Sequence, residues 1–273
     1  VSAPTKKEWK RFAFISDIHA PHHSESCLAL VKAWLKIEKP DIVVLGGDIL
    51  DCGTISKFRN PRGPRYPDFK AELDACKEAV HTLVDACGKA KIIWGEGNHE
   101  LRLPSYVMAC SPQLHRLISI PDLMQPLPGV KWIEAKRGSS FIYELTDKLL
   151  VAHGERYSSV SSANVARLTL HETKRSIIVG HNHAEGTHRE SGGHYGKEMV
   201  ALVAGCLCEA PTYRMNHRWT HGFVAGVINE HTGEFEIDHM RISDHESRLY
   251  TGKGTLVAIN HHTKGYQVKP EYS

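Results

Sequence analysis

The sequence predicts an α/β protein, and three observations carry that prediction. Apolar and β-branched runs such as Phe12-Ala13-Phe14-Ile15 and Ile42-Val43-Val44-Leu45 have the pattern of strands buried on both faces of a sheet. Amphipathic stretches of helical period lie between such runs through the first half of the chain. From about residue 130 onward the pattern changes to short strands separated by glycine-rich turns. A chain of 273 residues can bury a substantial core, and no linker or internal repeat divides it, so one large domain is expected.

Residues 1–10 form a polar lead-in. The first strand then runs into Ser16-Asp17-Ile18-His19, and alternation at a strand tip would bring Asp17 and His19 to one side. Ser24 can cap a helix over about 25–38, with Leu28, Val31 and Leu35 on one face and Pro40 as its stop. The next strand leads into Gly46-Gly47-Asp48-Ile49-Leu50-Asp51. A long loop over 52–67, punctuated by proline and carrying Arg59, Arg62 and Arg65, precedes a second helix over about 68–87 with Gly88 as its C-terminal signal. Lys91-Ile92-Ile93-Trp94 is a strand ending in Gly95-Glu96-Gly97-Asn98-His99-Glu100. Five prolines break residues 101–128 into short helices that read as a cap-like insertion. Strands follow at 130–133, 140–145 and 149–151, the last reaching His153-Gly154. A helix near 160–170 and a strand at 176–179 then lead to Gly180-His181-Asn182-His183. Strands are expected at 198–205, 222–229, 234–242 and 255–260, with an irregular tail after 243.

Composition narrows the chemistry. A formal charge of +3 with 24% charged residues is too small an excess to argue for nucleic-acid binding by itself. The 19 histidines point towards metal, since imidazole is the commonest metal-ligating side chain. Seven cysteines without regular spacing read as free thiols in a reducing compartment, and Cys206-Leu207-Cys208 as small apolar filler in a strand. No apolar run suits a membrane span and no apolar leader opens the chain, so a cytoplasmic location is expected.

Five strand ends therefore carry ligand-type residues: Asp17-x-His19, Gly47-Asp48-x-x-Asp51, Gly97-Asn98-His99-Glu100, His153-Gly154 and Gly180-His181-x-His183. Each has an ordinary explanation when taken singly. Asp48 could be a turn former, Asn98 a helix cap, and a histidine after a strand a hydrogen-bonded surface residue. All five in order, all at the carboxyl ends of strands, are hard to assign to chance. A mixed carboxylate, amide and imidazole set suits two divalent first-row ions, with manganese foremost and iron, cobalt, nickel or zinc as alternatives; magnesium fits poorly.

In these motifs the chain resembles the calcineurin-like metallophosphoesterase superfamily, whose signature runs D-x-H, G-D-x-x-D, G-N-H-[DE], G-H and G-H-x-H over what are here residues 14–183. The resemblance implies a four-layer αββα sandwich, two mixed β-sheets packed face to face with helices outside. It implies that Asp17, His19, Asp48 and His183 hold one ion, and that Asp48, Asn98, His153 and His181 hold the other. It further implies that His99 is the acid, oriented by Asp51. In such a centre a hydroxide held between the ions attacks phosphorus in line with the leaving oxygen. Arg102 is a candidate phosphate clamp, because a guanidinium matches phosphate with two parallel bonds. Its ordinary reading is a surface arginine at a helix start. His22 and His23 follow the first motif on a loop from which substrate could be touched.

Protein Ser/Thr phosphatases of the superfamily continue G-D-x-x-D with Arg-Gly; here Cys52-Gly53 follows, which argues against that subgroup. Gly205-Cys206-Leu207-Cys208 and Trp219-Thr220-His221-Gly222-Phe223 are similar to a phage-associated branch, which implies nucleotide or nucleic-acid substrates. Three readings follow: a two-ion phosphoesterase on small, nucleotide-type esters; a DNA or RNA nuclease using the arginine loop as its groove; and a scaffold without catalysis. Scaffolds would be expected to lose ligands, and none is missing.

Overall fold

The computed structural model describes residues 9–57, 66–115, 117–135, 140–191, 198–209, 218–243, 247–251, 254–260 and 265–268. Arg59, Arg62 and Arg65 lie outside these residues. The chain runs through β1 (Trp9–Ile15), α1 (Glu25–Glu38), β2 (Ile42–Leu45), α2 (Phe69–Ala86), β3 (Lys91–Gly95), α3 (Arg102–Cys110), α4 (Ile120–Leu123) and β4 (Val130–Ile133). It continues through β5 (Ile142–Glu144), β6 (Leu149–Ala152), α5 (Ser162–Thr173), β7 (Ser176–Val179), β8 (Gly186–Glu190) and β9 (Met199–Val203). It closes with β10 (His221–Asn229), β11 (Phe235–Ser243), β12 (Arg248–Thr251), β13 (Gly254–Asn260) and β14 (Gly265–Val268).

Two mixed sheets result. One has the order β14-β13-β12-β11-β10-β1-β2-β3-β4 and the other β5-β6-β7-β9-β8. β1, β2, β3 and β4 are parallel neighbours in the first sheet, and β6, β7 and β9 in the second. Alternation along the strands divides their side chains between layers. Phe12, Phe14, Val44 and Ile93 turn inward to meet Phe141, Val151, Ile178 and Leu202 of the facing sheet. Ala13, Ile15, Val43, Leu45 and Trp94 turn outward and are covered by Leu28, Val31 and Leu35 of α1 and Leu73, Val80 and Leu83 of α2. On the far side, Leu150, Ile177 and Val203 are covered by Val165, Ala166 and Leu170 of α5. The molecule is thus the αββα sandwich expected. Burial on both faces explains why these strands read as unbroken apolar runs.

Helix starts follow local chemistry. The side chains of Ser24, Asp68 and Ser161 accept from the backbone of Cys27, Ala71 and Asn164, satisfying donors that the first helical turn leaves free. α3 runs past Pro104, where a break was expected, because a proline in the first turn removes no helical bond.

Three further expectations need correction. β1 ends at Ile15, so Asp17 and His19 lie beyond the strand and do not converge by strand alternation. The tail after 243, expected to be irregular outside a strand at 255–260, carries β12 and β14 on either side of β13, and the three extend the larger sheet. β8 was not foreseen: its sequence Gly-Thr-His-Arg-Glu has no apolar alternation, and as an edge strand it needs none. Among the described residues, no helix is long and apolar enough to cross a membrane.

Candidate metal centre

All five ligand-bearing segments leave the carboxyl ends of parallel strands, β1, β2 and β3 in one sheet and β6 and β7 in the other. The packing of the two sheets brings those ends together, as open α/β sheets do at their binding crevices. What aims the side chains is backbone conformation. Asp17, His19, Asp48, His181 and His183 all lie in the left-handed region, with φ of 55°, 49°, 52°, 66° and 60°. Such residues cost about 1–3 kcal/mol each, and strain of this kind clusters at functional sites. Two glycines make room. A Cβ on Gly47, where φ is +87°, would stand 2.8 Å from His153 Nδ1, and one on Gly97 would stand 2.3 Å from Asp48 Oδ1.

The donors form two overlapping groups. In the first, His183 Nε2 lies 3.1 Å from Asp17 Oδ1 and 3.1 Å from His19 Nε2, while His19 Nε2 lies 3.8 Å from Asp48 Oδ2. In the second, His153 Nε2 lies 3.2 Å from Asp48 Oδ2, 3.1 Å from Asn98 Oδ1 and 3.2 Å from His181 Nδ1. Donors about 2.1 Å from a shared ion stand roughly 3.0 Å apart at right angles and at most about 4.2 Å apart, so both groups have the span of a coordination shell. Asp48 Oδ2 belongs to both.

The outer nitrogens of two of these imidazoles are committed elsewhere. His19 Nδ1 faces Asp51 Oδ1 at 3.1 Å, and His153 Nδ1 donates to the carbonyl of Gly46 at 3.0 Å. Partners of this kind fix the tautomer and aim the other nitrogen's lone pair inward, as metal-ligating histidines require. Charges respond accordingly. Burial disfavours ionised Asp17, yet His183 and His153 outweigh it and hold the carboxyl down to about 2. Asp48 is likewise held well below the carboxylate range by His153 and His99 against burial. His153 is driven up to about 10: burial opposes its charge, but Asp48, Asp17 and Glu100 prevail. His19 goes the other way, to about 4, through burial and the neighbouring His99. The donor set thus fits cations, with a proton on His153 standing where positive charge is wanted.

Around this core, Asp51 Oδ1 also lies 3.0 Å from His99 Nδ1, so one carboxylate orients two rings. Burial lowers the affinity of His99 for a proton, but Asp48 and Asp51 raise it overall. Arg102 donates from Nη1 to Asp51 O at 2.7 Å, and its Nη2 stands 2.8 Å from His99 Nε2. A guanidinium cannot donate to a protonated nitrogen, so that contact belongs to the neutral ring, whereas the carboxylates favour the charged one. His22 Nε2 is 3.7 Å from Asp51 Oδ2, at the rim. His23 is buried and faces Glu25 at 3.1 Å, so it is not placed to touch substrate.

Glu100, quoted in its motif without a role, is fully buried and accepts from Asp48 N at 2.9 Å, Ile49 N at 2.8 Å, Leu50 N at 3.1 Å and Gly97 N at 2.9 Å. It therefore ties the Asp48 turn to the Asn98 turn. Glu100→Gln puts an amide donor against backbone donors. It should lower unfolding stability by about 3 kcal/mol, read in denaturant titrations of the metal-free protein. A change within ±0.5 kcal/mol would remove Glu100 from this tie.

Comparison with known proteins identifies the family. The calcineurin-like phosphoesterase profile matches residues 10–214, three quarters of the chain. The chain belongs to the calcineurin-like phosphoesterase family. Its metal-dependent phosphoesterase class follows from that membership. The gene 54 proteins of Mycobacterium phages L5 and D29 are similar to it, at 24% and 23% identity. Each alignment spans 70% of this chain and 76% of the relative, and both relatives fit the phage-associated branch expected. The structure of vacuolar protein sorting 29 from Cryptosporidium parvum aligns with a TM-score of 0.48 and 13% identity, over 96% of this chain and 99% of that one. Within this calcineurin-like phosphoesterase the turns after β1, β2, β3, β6 and β7 bear all the ligands expected from the five motifs.

Proposed function

We propose that this phosphoesterase hydrolyses phosphomonoester or phosphodiester bonds in nucleotide-type substrates at a two-ion centre. Asp17, His19, Asp48 and His183 would hold one ion and Asp48, Asn98, His153 and His181 the other. The observation that carries this reading is Asp48 Oδ2, placed 3.8 Å from His19 Nε2 and 3.2 Å from His153 Nε2, between imidazoles from opposite sheets. Divalent ions at these positions would supply an activated water and offset charge on the phosphoryl oxygens. The leaving oxygen needs a proton as the P–O bond breaks, and His99 Nε2, 3.8 Å from Asp48 Oδ2, is the donor in this scheme. Asp51 keeps the ring turned, and Arg102, beside His99, would meet the phosphate oxygens with His22 at the rim. The cavity lined by Tyr157, Asn182, Arg218 and Trp219 supports a nucleotide-type leaving group, since it pairs aromatic surface with a guanidinium.

The test compares manganese-supported hydrolysis of p-nitrophenyl phosphate, bis-p-nitrophenyl phosphate, and single- and double-stranded DNA. The expected result is turnover of the nitrophenyl esters exceeding DNA cleavage. DNA cut faster than either ester would make the chain a nuclease. Failure on every substrate with manganese, iron, cobalt, nickel and zinc would leave a scaffold.

Ion uptake should also release a proton. At about pH 8 the metal-free His153 is protonated, because its value lies near 10, and an ion must displace that proton to bind. Calorimetric titrations in buffers of different protonation enthalpy should therefore report at least about one proton released per chain. The sign for stability follows. The protonated pair contributes fully to the metal-free fold below pH 6.5, and its contribution is lost as pH rises through about 10. Buffer-independent uptake heats would contradict the release, and metal-free stability that does not fall between about pH 7 and 10 would contradict the second statement.

A further inference from the structure

The segment after β9 enters the centre from a side that the five motifs do not account for. Its backbone is pinned by neighbours on three elements. Leu207 N donates to Asp17 O at 3.0 Å, Ser24 N to Leu207 O at 2.8 Å, and Cys206 N to Thr220 O at 2.9 Å. His221 Nε2 donates to Cys208 O at 3.1 Å, and isolated bridges pair Cys206 with His221 and Cys208 with His23. In extended backbone, successive side chains point to opposite sides. Leu207 joins the core under α1 and α2, so Cys206 and Cys208 are turned to the other side, where the candidate ligands stand. Both thiols are buried, at 0% and 2% exposure, and they hydrogen-bond each other.

Cys208 goes further than its neighbour. Its sulfur lies within 4.8 Å of donor nitrogens on both His19 and His183. A sulfur about 2.3 Å and a nitrogen about 2.1 Å from one ion stand at most about 4.4 Å apart, so little movement brings all three onto a shared ion. The structural cysteines differ in company: Cys76 donates to Ala20 O at 3.0 Å and Cys87 to Leu83 O at 3.3 Å. His183 is also unusual. Its Nδ1 is buried with no hydrogen-bond partner among the described residues, and the ring is flanked by Trp219 at 4.2 Å between centroids. Among the described residues no second partner holds its Nδ1 as Asp51 holds that of His19, so nothing opposes a small turn of the ring towards an ion shared with sulfur.

We propose that Cys208 is a sulfur ligand of the ion held by Asp17, His19 and His183. The inference rests on the two-ion reading and makes its two positions chemically unlike. The position with sulfur favours a thiophilic ion such as iron, cobalt or zinc, whereas the Asp48–Asn98–His153–His181 position, all oxygen and nitrogen, accepts manganese. On binding, the thiol gives its proton to solvent and its sulfur lone pair to the ion; no oxidant or reductant takes part. Cys206 stands beside this sulfur as a hydrogen-bond partner and is not a ligand.

Cobalt(II) titration of the full chain, followed by absorption spectroscopy and metal analysis, tests this. The expected result is two cobalt ions per chain with a sulfur-to-cobalt charge-transfer band in the near ultraviolet. The band should be lost in Cys208→Ser and kept in Cys206→Ser, and Cys208→Ser should lose more affinity for cadmium than for manganese. Circular dichroism checks that each variant is folded, and the wild-type spectrum is decisive without any variant. Two cobalt ions bound with no such band would overturn the sulfur ligand and leave the centre intact. A band that survives Cys208→Ser would overturn it as well. A chain that binds no cobalt would sink the two-ion reading itself.

Discussion

Asp48→Asn protein will retain fewer than two ions per chain and lose at least about a hundredfold in turnover, the scale on which removing one charge-stabilising group is felt. The reason is geometric. Oδ2 of Asp48 stands 3.2 Å from His153 Nε2 and 3.8 Å from both His19 Nε2 and His99 Nε2, so a single oxygen serves both donor groups. An amide keeps the size but not the charge, and a neutral oxygen cannot satisfy two cations. The other oxygen, Oδ1, accepts from His99 N at 2.8 Å, a bond the amide oxygen can preserve, so the fold should survive. Metal analysis of the purified variant, with circular dichroism to confirm folding, is the measurement. Two ions retained would contradict the shared role of Asp48.

His99→Ala should behave in the opposite way, keeping both ions while losing about 10²–10⁴ in turnover on alkyl phosphate esters. On p-nitrophenyl esters the loss should be far smaller, because p-nitrophenolate leaves without needing a proton. The ring meets His19 edge-on at 4.3 Å between centroids, its Nδ1 lies 3.0 Å from Asp51 Oδ1, and its Nε2 faces Arg102 at 2.8 Å with Asp48 Oδ2 farther off at 3.8 Å. Its removal takes away a proton donor without taking a metal donor. Equal losses on both ester classes would remove His99 from the acid's role and leave it as packing beside Asp51.

Much of the molecule was legible in one dimension. Buried parallel strands carry unbroken apolar runs because helices or a second sheet cover both faces, and β1, β2, β3, β6 and β7 each had that pattern. Ser24 and the Leu28, Val31, Leu35 spacing located α1 to within a residue. β8 was hidden because an edge strand of Thr, His, Arg and Glu has no period to read. β12 and β14, of four residues each, were hidden because runs so short show too little of a strand's period to read. Glu100 was visible only as a letter in a motif, since three of its four bonds run to backbone N–H groups about 50 residues away, which no sequence pattern records.

By itself the sequence determined which residue types can bind metal here and that they follow strands, because ligand chemistry and strand burial are local properties of the chain. It could not determine their aim. Alternation was expected to bring Asp17 and His19 together, but left-handed backbone at φ of 55° and 49° does so, beyond the end of β1. Only the packing of two sheets face to face could set His153, His181 and His183 from one against Asp17, His19 and Asp48 from the other. Only that packing could bring Cys208 beside His19 and His183. Contacts between residues more than 100 positions apart depend on how layers close over a shared core, and that closure is a property of the whole fold.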